Sequence, residues 1–336
     1  MIFHPPDRKF MITLYPLKFR PVFREKIWGG QKMKTSLGIN FAPHLNAGEA
    51  WMLSGVPGSQ TEVSNGFLEG NEVNELLEVY MDDLVGEKTF MNHKDQFPVL
   101  IKFIDANDWL SVQVHPDDIL AAKRKLGGGK SEMWYVVDAD PGAELISGFN
   151  RKIGREFYQK NLKDKTLGNI LNYEPVNKGD VFYIPAGRVH ALGPGILLAE
   201  IQQTSDITYR IYDWDRVDEQ GKSREMHTGL ALDAIDFEVP PSYRTLYTPQ
   251  ENRTVNLVKC PYFSTSILEF SLPVIKDYTE IDSFIIYICI DGAAEITYNS
   301  GKENITKGEV MLIPAVLDKI ALFPHPACKI LEVCSI

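Results

Sequence analysis

Four side chains able to bind a transition metal fall at spacings that can bring them together. Gln113 and His115 lie two apart in LSVQVHPDD (110–118), so on an extended strand both project from one face. Glu132 opens the run EMWYVV after a glycine-rich turn, GGGK (127–130). His190 closes the string G-x5-P-x-G-x-x-H over 179–190. Two imidazoles, one carboxylate and an amide oxygen on neighbouring strands suit a first-row metal. Zinc held by two histidines and a glutamate, with an open position, is a catalytic set. No cysteine takes part, which argues against a closed structural zinc site.

A lone strand histidine is more often an ordinary hydrogen-bonded residue than a ligand, and an internal repeat shifts that balance. KGDVFYIPAGRVHAL (178–192) aligns without gaps with KGEVMLIPAVLDKIA (307–321), and MWYVVDADPGAEL (133–145) with FIIYICIDGAAEI (284–296). A strand–turn–strand unit present twice implies two copies of one β-fold. His190 then falls on Lys319, Gly187 on Val316 and Glu132 on Ser283. The second copy lacks the candidate ligands, so the first is expected to do the chemistry.

The elements that must position these groups are mostly short strands. PVLIKFID (98–105), WLSVQVH (109–115), MWYVVDA (133–139), DVFYIPA (180–186) and ILLAEIQQ (196–203) read as strands punctuated by Gly, Pro, Asn and Asp. FSTSILEFSL (263–272), SFIIYICI (283–290), AAEITYN (293–299) and EVMLIPA (309–315) continue the pattern. Helical spacing occurs over 71–84, with an Asn suited to cap it, and over 117–127, 155–173 and 224–237. The expected fold is mainly β: a sandwich or jelly roll with a few inserted helices.

A chain of 336 residues is long for one core and suggests two domains. Apolar content of 44% and charged content of 24% fit an ordinary globular protein. A net charge of −10 argues against a general nucleic-acid binder or an anionic-membrane binder. It leaves room for a small phosphorylated ligand, which needs only a few local cations. The cysteines, Cys260, Cys289, Cys328 and Cys334, form no CxxC and read as reduced thiols in the core. No apolar run is long enough for a bilayer and MIFHPPDRKF has no apolar leader, so a cytoplasmic protein is expected. Residues 1–13 read as an N-terminal extension.

At this point the residues resemble a family. The 179–190 string is similar to the second motif of the cupin superfamily. Gln113-Val114-His115, standing where cupins usually carry HxH, resembles the shorter bacterial branch of the type I phosphomannose isomerases. KIWGG (26–30), GEAWMLSG (48–55), FPVLIKFIDANDWLSVQVHPDD (97–118), GKSEMWYV (129–136) and QTSDITYRIYDWDR (203–216) support the likeness. It implies two cupin (jelly-roll) domains: a catalytic one over 14–245 with helical insertions, and a degenerate one over 246–336. Gly193, where many cupins have asparagine, and the lack of a large helical insertion are departures.

The resemblance further implies one zinc per chain, held by His115, Glu132 and His190 with Gln113 as a fourth ligand. The implied reaction interconverts mannose 6-phosphate and fructose 6-phosphate through a cis-enediol. Arg210 matches the family's catalytic arginine; judged alone, it reads as a partner of Asp213 or Asp215. Ser111 and Lys130 match positions at the substrate phosphate, although Lys130 alone reads as an exposed turn residue. Lys102 and Glu200 match polar pocket residues, and each sits in an apolar strand where a charge must find a partner. The general base stays open between Glu200, Lys102 and a zinc-bound water. An iron cupin oxygenase and a non-catalytic sugar-phosphate binder are the alternatives.

Overall fold

The structure is a computed structural model that describes residues 14–217, 221–299 and 301–336. The proposed extension over 1–13 lies outside the described residues. Three antiparallel sheets carry the fold. A five-stranded sheet runs Tyr209–Tyr212, Val112–Val114, His190–Leu192, Glu144–Phe149, Leu171–Pro175. Facing it is a seven-stranded sheet whose central strands are Val181–Ile184, Glu132–Ala139, Ile196–Gln203, Val99–Ala106 and Glu49–Leu53. Leu145 and Leu192 of the first sheet pack with Trp134, Phe182 and Leu198 of the second, so the two enclose a common interior. This is the expected jelly roll.

The seven-stranded sheet has a second covered face. Phe103, Met133, Tyr135 and Ile201 pack against Phe263, Ile286, Ile288 and Leu331 of an eight-stranded C-terminal sheet. Burial on both sides explains why Val99–Ala106 is buried at every position and reads as an unbroken apolar run rather than an alternating one. One strand crosses between the halves. Leu17–Lys18 pairs with Val310–Ile313 of the C-terminal sheet, Leu17 fully buried opposite Leu312, and Lys18 reaches Glu309 at 2.8 Å.

The repeat appears as strand pairs, with one shift. Glu132 stands opposite Ile184, whereas Ile313, the counterpart of Ile184, faces Ile285. Ile285 rather than Ser283 therefore occupies Glu132's place in the second copy. Lys319 is exposed, and Phe270, Tyr287, Cys289 and Ile313 fill that copy's interior. Cys260, Cys289 and Cys328 are buried free thiols, and Cys334 is partly exposed.

The helices are shorter than their patterns. The 71–84 pattern forms Val73–Val85, and its N-cap is Glu72, whose N–H donates to Glu75 Oε2 at 2.9 Å; the expected cap, Asn71, donates to Leu68 O instead. The 117–127 pattern forms Asp118–Lys123, capped by Asp117 accepting from Leu120 N. The 155–173 pattern breaks after Arg155–Lys163, and Leu171–Pro175 is an edge strand paired with Glu144–Phe149. Lys165 at φ 57° makes the turn, and burial of Ile170 and Leu171 under the sheet outweighs helix propensity. Only Thr228–Ala234 of the 224–237 pattern is helical.

Candidate active site

Cross-strand register builds the site. In the five-stranded sheet one rung runs Arg210–Gln113–His190–Ser147, each residue directly opposite the next. Side chains on one rung project to one face, which places Arg210 beside Gln113 and Gln113 beside His190. In the facing sheet a second rung runs Trp134–Glu200–Lys102–Trp51. Glu132 is two residues from Trp134, on the same face.

His115, Glu132 and His190 converge as the sequence predicts: one ligand atom from each lies within 4.8 Å of the others, and all three are buried. His190 Nε2 is 3.3 Å and His115 Nε2 3.6 Å from the Glu132 carboxylate. Each imidazole is anchored by Nδ1, His115 to Ile207 O at 2.7 Å and His190 to Arg188 O at 2.8 Å. With the proton on Nδ1, both Nε2 lone pairs point at the carboxylate. Burial, with the Lys130 charge close by, holds His115 well below the usual imidazole range. His190 is lowered to about 4, chiefly by burial. Both are neutral, as ligands must be. His115 Nε2 and both Glu132 oxygens are buried without a hydrogen bond. Burial, reinforced by repulsion from Glu200, raises Glu132 to about 8. Orphaned acceptors around one point are what a divalent cation would satisfy, and the donor set fits zinc.

Gln113 is adjacent, but its amide nitrogen, not its oxygen, faces His190 Nε2 at 3.2 Å. As a ligand it would have to turn the amide over. Trp134 packs edge-on against His190, their ring centres 5.4 Å apart.

Above the cluster opens a cavity of about 390 Å³ that brings together Lys102, Ser111, Gln113, Lys130, Glu200 and Arg210. Lys130 is not an exposed turn residue: it is 5% exposed, with Nζ 3.3 Å from Glu132 Oε2. Lys102 and Glu200 have found each other, Nζ to Oε2 at 3.1 Å. Trp134 Nε1 donates to Glu200, and Lys102 Nζ donates to Gln202 Oε1 at 2.8 Å. Burial alone would raise Glu200; Lys102 and Lys130 outweigh it and hold the carboxyl near 2. Arg210 pairs with neither aspartate suggested for it. Arg216 and Arg224 occupy Asp213, while Arg210 donates to Glu225 O at 2.9 Å.

The cavity also exposes residues that sequence reasoning did not single out: Arg24, Lys26, Glu49, Trp51, Asp206 and Arg224. Arg24 and Lys102 lie over the Trp51 ring, whose Nε1 donates to Glu49. The signal was available, because Glu49 and Trp51 stand two apart in the short strand EAWML.

Comparison with known proteins settles the family. The description phosphomannose isomerase type I, catalytic domain, matches residues 16–170, and mannose-6-phosphate isomerase, cupin domain, matches 253–325. A mannose-6-phosphate isomerase of Streptococcus mutans is 35% identical over 304 residues, covering 89% of this chain and 92% of its own. This chain belongs to the type I phosphomannose isomerase family. A second family member, a mannose-6-phosphate isomerase of Bacillus subtilis, is 35% identical over 320 residues, 94% of this chain and 98% of its own. A crystal structure of a mannose 6-phosphate isomerase from Bacillus subtilis superposes with a TM-score of 0.85 at 30% identity, covering 95% of this chain and 99% of that one. Like other type I phosphomannose isomerases, the chain is an enzyme with cupin architecture. His190, Glu200 and Arg210 lie between the two matched stretches, so their place in the site rests on the geometry above.

Proposed function

We propose that the chain is a zinc-dependent aldose–ketose isomerase interconverting mannose 6-phosphate and fructose 6-phosphate through a cis-enediol. The observation that carries this reading is the cavity's charge. Six cationic side chains (Arg24, Lys26, Lys102, Lys130, Arg210, Arg224) face three acidic ones (Glu49, Glu200, Asp206), in a chain of net charge −10, above a His–Glu–His cluster. A local excess of cations in an acidic protein suits a phosphorylated substrate. The names of the Streptococcus and Bacillus relatives supply the sugar.

His115, Glu132 and His190 would hold the metal, joined by Gln113 once its amide oxygen turns inward. When bound, zinc supplies Lewis-acid polarisation of the substrate's carbonyl oxygen. Arg210, permanently charged and not committed to a carboxylate, offsets the negative charge that builds on the enediolate oxygens. Glu200 and Lys102 are the buried pair placed to move the proton between C1 and C2, and Glu200 becomes basic enough to accept it only once Lys102 turns from the carboxylate to a substrate oxygen. Ser111 and Lys130 donate to substrate oxygens. The catalytic unit is 14–245 and the second copy 246–336, a division supported by the sheet membership of each strand except Leu17–Lys18.

The test is mannose 6-phosphate in deuterated water. Fructose 6-phosphate should form with deuterium at C1, and recovered mannose 6-phosphate should carry deuterium at C2, both ceasing on chelation and returning with zinc. Full activity in protein shown to be metal-free would overturn the zinc role. Tight binding without exchange at C2 would make the chain a sugar-phosphate binder instead.

A further inference from the structure

Lys130 does its work from a segment with little stiffness of its own. It follows three glycines, Gly127, Gly128 and Gly129, the residues with the most backbone freedom. Its ammonium must nevertheless sit buried beside Glu132. Gly129 is required by a close approach, since a Cβ there would lie 2.6 Å from the backbone of Asp117 and Asp118. What holds the segment at that approach is Asp118: its Oδ1 accepts from Gly129 N at 2.7 Å and from Gln203 Nε2 at 3.2 Å. Gln203 in turn accepts the N–H of Ser131 at 2.8 Å. Lys130 is thus bracketed by two anchored neighbours, and its own N–H donates to Pro116 O at 3.0 Å.

The remaining oxygen of Asp118 is held from the other half of the molecule. Tyr262, in the turn between Arg253–Lys259 and Phe263–Phe270 of the C-terminal sheet, donates its hydroxyl to Asp118 Oδ2 at 2.7 Å. A carboxylate bonded through one oxygen can still swing about its side-chain torsions; bonded through both, it is fixed in plane and in distance.

We propose that Tyr262 is a positioning residue for Lys130, acting through Asp118 and the Gly129 N–H. The second β-unit, in which no metal-ligand cluster occurs among the described residues, thereby contributes to the reaction by clamping the glycine-rich segment from behind. The kinetic part of this inference rests on the isomerase activity proposed above.

Tyr262→Phe removes one oxygen atom and keeps the ring. It should lower kcat/KM for mannose 6-phosphate about tenfold in the otherwise unaltered chain, and less than about twofold when Lys130 is already Gln, because coupled residues are not additive. Amide exchange over 128–131 should quicken about fivefold or more, with exchange in the sheets unchanged. Equal factors in the two backgrounds, or unchanged exchange at Gly129, overturns the proposal. A chain inactive on mannose 6-phosphate would refute the activity reading, and exchange at Gly129 would still decide the clamp. It decides likewise if Lys130→Gln leaves too little activity to measure.

Discussion

Lys102 and Glu200 stand directly opposite each other on paired strands, their charged ends 3.1 Å apart and both almost wholly buried. Removing one partner of such a pair leaves an uncompensated charge, while removing both does not. Lys102→Met should therefore cost about 3–5 kcal/mol of stability. The double variant Lys102→Met/Glu200→Gln should return to within about 1 kcal/mol of the parent, since Gln can still accept from Trp134. Urea unfolding of the three proteins checks this. Isomerase activity should be lost in both variants, separating stability from catalysis.

Arg210→Ala makes the opposite separation. Asp213 keeps two guanidinium partners, Arg216 and Arg224, so no carboxylate is orphaned. The fold should keep its melting temperature within a few degrees and its metal content, while kcat falls by about two to three orders of magnitude. Turnover together with metal analysis by mass spectrometry tests it, and unchanged turnover removes Arg210 from the mechanism.

Asp105 gives a pH signature away from the metal. It is buried beneath the KIWGG turn, where Oδ2 accepts from Met33 N at 3.0 Å, and burial raises its carboxyl to about 6 despite the backbone donors. A folded pKa above the ordinary 3.8 means that the folded chain holds this proton more tightly. Its favourable contribution is present below about pH 4 and lost as pH rises through 6. Asp105→Asn should match the parent at pH 4, gain on it between pH 4 and 6, and stay ahead by up to about 3 kcal/mol above that. Denaturant midpoints at pH 4 and 7.5 decide it.

Gly193 is a departure from the cupin pattern that the structure explains. Its N–H donates to Glu144 O, and a Cβ would lie 2.2 Å from that oxygen and 3.0 Å from the Trp109 ring. Backbone cannot retreat as a flexible side chain can, so Gly193→Ala should cost about 2 kcal/mol or more. The thermal midpoint reads it; a neutral result would show that the two strands part easily.

The metal cluster was legible in the sequence because its clues are local: two residues apart on a strand, a spaced glycine–proline–histidine string, and a repeat that had lost both ligand types. Lys102 and Glu200 were legible as charges out of place in apolar strands, though not as partners, since register is set by strands a hundred residues apart. Lys130 was placed in the site by the family resemblance and, judged alone, read as a surface residue, because nothing local reveals that Asp118 bonds its glycine segment. Arg24, Glu49 and Trp51 went unassigned for the same reason, as the first strands of the chain meet the site only through the sheet. The 155–173 segment failed differently. Its helical spacing is real, but a turn at Lys165 and burial of Leu171 convert the last third into a strand.

The pairing of Leu17–Lys18 with Val310–Ile313 has a consequence for how the chain is made. Lys18 N and O can bond Asn65 and Ser64 early, but the edge of this strand that faces Val310–Ile313 stays uncovered until the intervening chain has been synthesised. The eight-stranded sheet takes in this strand only after Val310–Ile313 has been made. A chain cut short before residue 310 therefore leaves one edge of Leu17–Lys18 without its partner, the kind of surface on which nascent chains stick to one another.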